Sequence, residues 1–460
     1  MIKRSDIAMA LGEALRTGGD FSELFFQDCV RNTLQLVDGT IDNAVTGRIH
    51  GAGIRVYKGL SSVYVYTNDV SRAGLTACAR KAADAVGEGD IPRDIRLGGR
   101  IARNIHAVEE LPMRVEGARR AQILTDVHRA AVAHSSEIKQ LRASLVDWDS
   151  AVTIANSEGL HVSDRRVYTR LMAFAVAAGG GENQTGHVSP GAMMGFELFK
   201  TRVDPERAGV QAAEQAVKML HADECPAGVM PVVIDGGFGG VIFHEACGHS
   251  LEATQVAFGS SEFSGKLGQQ IAAPIVTAID DGTIPNEWGS LNIDDEGTPA
   301  TRLVLIENGI LKNYMVDRLN GRRMDAPSTG SARRQDYTFA PTSRMRNTYI
   351  APGEHDEREI IASCGDGLYA KSMGGGSVNP VTGEFNFAVD EGYLIKGGKI
   401  DKPVRGATLI GRGAEVLMKI DRVGKKMWLA QGMCGSRSGS IPAGVGQPMI
   451  RLTSMTVGGR

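Results

Sequence analysis

A chain of 460 residues exceeds what one hydrophobic core usually serves, so two or three units are expected. Its 42% hydrophobic content is that of an ordinary soluble globular protein. With 51 basic against 53 acidic residues the net charge is -2, which excludes an overall electrostatic footprint for nucleic acid or an anionic membrane.

The first residues, MIKRSDIAMALGEAL, hold only a short apolar run, interrupted at Glu13, and read as neither a signal peptide nor a span. From Ser22 to Asn68 apolar positions alternate, and Asp38-Gly39, Gly51-Ala52-Gly53 and Lys58-Gly59 supply turn signals, so an antiparallel meander is expected. Ser71 caps a helix running to Val86. Residues from about Met113 to Asp147 read as helix, and strand character returns around Glu158-Gly159. ENQTGHVSPGAMMG reads as a polar, glycine-rich loop near a site. Asp204 and Pro205 open a further helix to Leu220. After Cys225-Pro226, short strands and glycine turns dominate, with helices expected over 244–255 and 356–367. The elements make an α+β fold: an N-terminal α/β meander domain (1–110), a middle domain (111–226) with packed helices, and a β-rich C-terminal domain (227–460). The six cysteines show no paired spacing, which argues against a disulfide framework and for the cytoplasm.

VIFHEACGHSLEA carries the chemistry. It departs from the zinc-protease pattern H-E-x-x-H because His244 and His249 are five apart, not four. Five steps on a regular α-helix separate two side chains by roughly 140°. A π-type turn, or unwinding before His249, is therefore required if both are to grip one metal, and Gly248 permits that distortion. With 10 histidines and 53 acids in the chain, chance supplies at most about 0.03 such patterns.

Hydrolysis at zinc needs a third protein ligand and an open position. Cys434, flanked by glycines in GMCGSRSGS, is one candidate, and Cys247, three residues after His244, is its rival if the helix is regular. Glu245 holds the place of the general base, against the plainer reading of a solvated helix residue; Glu252 reads as a plain helix residue. Asp280-Asp281 and Asp294-Asp295-Glu296 read as turn or cap residues more readily than as a cation site. Arg333 and Arg334, with Tyr337 nearby, are candidates to bind a peptide carbonyl or a terminal carboxylate, or to steady an oxyanion; the plainer reading is an exposed basic surface.

The stretches FHEACGHSLEA, FSGKLGQQIAAPIVTAIDDGT, LNIDDEGTPA, LIENGILKNYMVDRLNGRRM, PSTGSARR, RMRNTYIAPG, GGGSVNPVTGEFNFAVDEGYLIKGGKI and GMCG followed by PAGVGQP carry a resemblance. Together with GAGIRVYKGLSSVYVYTND they make a chain that resembles the TldD/PmbA family of metallopeptidases over essentially its whole length. The resemblance implies Zn2+ held by His244, His249 and Cys434, with Glu245 as catalytic base. Cysteine at 247 departs from the small or apolar residue the family carries there. Also implied are unfolded or small peptide substrates, among them peptide-antibiotic precursors and antitoxins, threaded into a chamber between subunits. The implied assembly is a heterodimer with a TldE/PmbA-like paralogue lacking the metal motif, or else a homodimer.

Two other functions compete. A non-catalytic binding subunit, such as a modulator of DNA gyrase, has no need of a metal triad, and no basic helix or aromatic-basic platform suggests direct DNA contact. Thiol redox chemistry lacks a C-x-x-C motif.

Overall fold

In the computed structural model, which describes residues 2–379 and 382–459, Asp38 and Gly39 take positive φ (46° and 83°) and reverse the chain between strands Phe21–Val37 and Thr40–Lys58. Asp-Gly does this because both central residues of the turn need φ > 0. A third strand, Ser61–Thr67, completes the expected meander. Ser71 caps helix Arg72–Asp84 by accepting from the Gly74 amide at 3.1 Å. Pro380 and Val381, within one of the stretches quoted above, lie outside the described residues.

Gly51 and Gly53 are not turn residues; they lie inside strand Thr40–Lys58. A Cβ at Gly51 would sit 2.3 Å from the Tyr337 ring, and one at Gly53 1.8 Å from the Tyr64 hydroxyl. These glycines serve close packing between distant parts of the chain. The helix expected from 113 to 147 ends at His134, and Ile138–Asn156 is a strand. Buried Leu141, Ala143 and Leu145 show its period of two, and strands on both sides outweigh a helix-prone composition. The polar segment after Gly181 is also a strand, Glu182–Val188, paired with His161–Gly179.

Among the described residues these strands form an eight-stranded sheet in which Phe21–Val37 pairs with Ile138–Asn156, so one sheet spans the expected boundary near residue 110. Helices Arg4–Ala14 and Arg72–Asp84 cover one end of it. Gly117–His134 and Pro205–Leu220 cover the other, the latter capped by Asp204 as its sequence predicts. The described residues of the second half build a twelve-stranded sheet. There Gly228–Ile234 lies between Gly439–Gly458, antiparallel, and Gly367–Val378, parallel. Strand residues outnumber helical ones, 44% to 23%, so the fold is α+β. No described helix is long and apolar enough to cross a membrane.

A buried polar seam joins the two sheets. Arg55 is paired with Glu23 at 3.0 Å and Glu296 at 2.5 Å, and Arg334 with Glu23 at 2.9 Å, all four nearly solvent-free. Trp288 of the second half stacks edge-on against Trp148 and Tyr168 of the first.

Candidate metal centre

Strand Gly228–Ile234 leads through the glycine turn Gly237–Gly240 into the histidine segment. A Cβ at Gly240 would lie 2.5 Å from the Gly446 carbonyl, so the turn rests directly on strand Gly439–Gly458. Val241, Ile242, Phe243, Ala246, Cys247 and Leu251 then enter the largest core, and their burial fixes which face of the segment remains for His244 and His249.

The segment is not one regular helix. It passes from Val241–Phe243 in α-form to a π-turn over His244–Gly248, then a 3₁₀ turn, His249–Leu251, and a short helix, Ala253–Val256. The wider π-turn brings the residue five positions on, His249, over His244. The two rings lie 5.2 Å apart at 87°. Gly248 keeps ordinary helical angles (φ -57°, ψ -50°), so freedom at φ is not its contribution. A Cβ there would stand 2.2 Å from the Met345 sulfur, and lack of a side chain is what the packing requires.

Cys434 comes from the far end of the chain, in strand Ile420–Ser436 opposite Ile441. Its flanking Gly435 has open space around it, so close approach does not explain that glycine. The Cys434 Sγ lies 3.3 Å from His244 Nε2 and 3.4 Å from His249 Nε2, and the three donor atoms fall within 4.8 Å of one another. Tetrahedral zinc with Zn–S ≈ 2.3 Å and Zn–N ≈ 2.0–2.1 Å requires S···N edges of about 3.5 Å. The donor set therefore fits such an ion in both chemistry and spacing. Burial opposes ionisation of the Cys434 thiol, but the two imidazoles outweigh it and hold the group well below the usual thiol range. Cys247 is buried in the core beside this cluster, and burial pushes its thiol well up.

Glu245 is the more open member, with 29% of its side chain exposed, and its Oε2 lies 3.6 Å from His249 Nε2. Glu252, expected as a plain helix residue, lies between the 3₁₀ turn and the short helix. Its buried carboxylate sits 3.2 Å from His249 Nδ1 and accepts from the Met345 amide at 3.3 Å. A carboxylate behind a ligating imidazole fixes its tautomer and orientation. The spacing of three after His249 was the available signal. His244 Nδ1, by contrast, is buried without a hydrogen-bond partner among the described residues.

Of the arginine pair, both are buried rather than surface residues. Arg334 is committed to the seam: besides Glu23 it binds the Asp295 carbonyl and the Tyr64 hydroxyl, and it stacks over Phe25. Tyr337 packs against the meander, its amide donating to Gln27 and its carbonyl accepting from Tyr64. Arg333 donates to the Met345 carbonyl. Asp280 pairs with buried Arg346 at 2.7 Å, and Asp294 accepts from the Glu296, Thr298 and Ala332 amides, in keeping with structural roles.

Comparison with known proteins follows the same lines. Residues 227–459 match the PmbA/TldA metallopeptidase C-terminal domain, 112–220 the central domain and 22–86 domain 1. A metalloprotease TldD homolog of Haemophilus influenzae is 38% identical over 96% of this chain and 93% of its own length. One from Buchnera aphidicola is 33% identical over 100% and 96%. In structure, TldE of Thermococcus kodakarensis superposes with a TM-score of 0.75 at 17% identity, covering 98% of both chains. A Thermotoga maritima protein described as a candidate modulator of a DNA gyrase gives 0.78 at 21%, covering 95% and 96%.

Proposed function

Since the chain belongs to the PmbA/TldD family of metallopeptidases, we propose that its metal is zinc, held by His244, His249 and Cys434, with Glu245 as general base. The observation that carries this reading is the convergence of the three donor atoms at S···N separations of 3.3 and 3.4 Å. Two imidazoles and a thiolate suit zinc, and three protein ligands leave a fourth position open. Bound there, zinc supplies Lewis acidity toward a peptide carbonyl and toward water.

The side chains do the rest. Glu245, beside the His249 Nε2 edge and the more exposed of the group, takes a proton from the attacking water and returns it to the leaving amine nitrogen as the C–N bond breaks. Glu252 holds the His249 ring from behind. The substrates proposed are unfolded or small peptides, bound through main-chain hydrogen bonds that ignore side-chain identity. The proposed assembly is a cytoplasmic heterodimer with a TldE-like subunit, a homodimer being the alternative. A non-catalytic modulator would leave the convergent donors without a use.

Elemental mass spectrometry on wild type, Cys434→Ala and Cys247→Ala, each assayed on an unstructured peptide, tests the reading. The expected result is zinc near one per chain, lost with Cys434 and retained with Cys247. Glu245→Gln is expected to keep the metal while cleavage drops by about 10²–10⁴-fold. Zinc that follows Cys247, or full cleavage by Glu245→Gln, would overturn the assignments.

A further inference from the structure

Between the first-half sheet and the hairpin that carries Cys434 lies a cleft of about 120 Å³, lined among others by Arg31, Trp148, Tyr168, Arg333, Met433 and Ile441. That space is enough to admit a carboxylate group. Trp148 and Tyr168 stack at 4.7 Å along its wall, and exposed Arg31 lies 5.4 Å over the Trp148 ring.

The more buried arginines of this cleft differ in one respect. Arg166 is paired with Asp295 at 2.6 Å and Arg334 with Glu23 at 2.9 Å. Arg333, only 3% exposed, has no ion-pair partner among the described residues; its hydrogen bond is from Nη1 to the Met345 carbonyl at 2.8 Å. The nearby acids are already engaged. Asp295 accepts from Arg166 and from the Arg334 amide, and Asp336 accepts from the Thr338 amide and hydroxyl. Burial drives the Arg333 guanidinium down to about 10, the mark of a cation short of compensation. A buried charge is ordinarily paired, because its lost hydration is otherwise unreplaced.

The cleft also adjoins the candidate metal centre. Met433 and Ile441 flank or oppose Cys434. Met345, whose carbonyl Arg333 holds, donates its amide to Glu252, the partner of His249. We propose that Arg333 is the receptor for a substrate carboxylate, anchoring a peptide beside the metal centre by its free C-terminus or by an acidic side chain. The inference rests on the peptidase reading and deepens it. A guanidinium offers two parallel N–H donors to a carboxylate, and where the guanidinium is buried such a pair is selective for charge. A peptide anchored by its terminus is cut at a fixed distance from that end.

The test varies the peptide first, so that it does not depend on a buried substitution. Fluorescence anisotropy of the full-length Glu245→Gln chain measures Kd for a labelled unstructured peptide as free acid, as C-terminal amide, and as an amide carrying one glutamate. The free acid is expected to bind at least about tenfold tighter than the amide, the scale of a charge-assisted hydrogen bond. If only the glutamate restores affinity, the carboxylate comes from a side chain and the receptor stands. In Arg333→Gln the acid-to-amide ratio should fall toward one while affinity for the plain amide is unchanged, and Arg333→Lys should recover part of it. Equal affinity for all three peptides overturns the receptor. If metal-loaded wild type cleaves all three peptides with equal kcat/KM, the receptor alone falls; if it cleaves none of them, the peptidase reading falls with it.

Discussion

Arg344 donates to the carbonyl oxygen of Cys434 at 2.5 Å from a side chain with no solvent exposure. The same guanidinium binds Ser438 Oγ and the Gly439 carbonyl, and its Nε lies 4.0 Å from Glu252. One buried cation thus joins the hairpin that supplies the thiol to the carboxylate that steadies a histidine. Replacing it with a neutral side chain of similar length, Arg344→Met, leaves several acceptors unsatisfied. A loss of at least ~2 kcal/mol in chemical denaturation is expected, since each buried orphan costs about 1–3 kcal/mol, together with weaker zinc binding in chelator competition. An unchanged midpoint and unchanged zinc affinity would count against this role.

Glu252→Ala should weaken zinc binding by about 10–100-fold, the usual effect of removing the partner of a ligating histidine. Glu252→Gln can still accept from His249 Nδ1 and should lose less. Competition with a chromophoric chelator measures both. Equal, unperturbed affinities would make Glu252 a plain core residue.

Gly248→Ala places a methyl against the Met345 sulfur. Overpacking of this kind costs about 1–3 kcal/mol, and the strain passes to Glu252 through the Met345 amide. The double variant Gly248→Ala/Met345→Ala should be more stable than the sum of the singles predicts, because the second change removes the clash. Additive denaturation energies would contradict the packing account.

The seam carries a pH dependence. Burial raises the Glu296 carboxyl to about 7 against the pull of Arg55, with Asp317 and Glu23 adding to the rise. Unfolded, the group titrates near its model value of 4.5, so between about pH 4.5 and 7 the folded state holds the extra proton. Its contribution to stability is therefore full below pH 4.5, declines as pH rises toward 7, and is gone above. Melting curves from pH 5 to 8 should show wild type losing more Tm over the rise to pH 7 than Glu296→Gln does. Parallel curves would remove Glu296 as the source.

Much of the fold was legible because its signals are local. Asp38-Gly39 turned the meander as read, Ser71 and Asp204 capped their helices, and a π-turn, one of the two distortions that would bring the histidines together, lies at His244–Gly248. The failures share a cause. Ile138–Asn156 is helix-prone in composition but lies between two strands that claim its backbone, and Gly51 is small because Tyr337 presses on it from far along the chain, as Gly53 is because Tyr64 of the paired strand does. Glu252 looked like any helix glutamate until burial brought its carboxylate to His249.

The amino-acid order by itself determined the periods, caps and tight turns, and the histidine segment with its glutamate, because each depends on residues within a few positions of one another. It also carried the family likeness. Tertiary structure brought Cys434, the cysteine the family likeness had implied, beside the histidines, and it alone decided that Arg334 and Tyr337 belong to a seam while Arg333 faces a cleft with no counter-charge among the described residues, and that Arg344 links Cys434 to Glu252. His244 and Cys434 are 190 residues apart. Only the pairing of strands and the burial of charge set what such residues meet, and neither is written in local sequence.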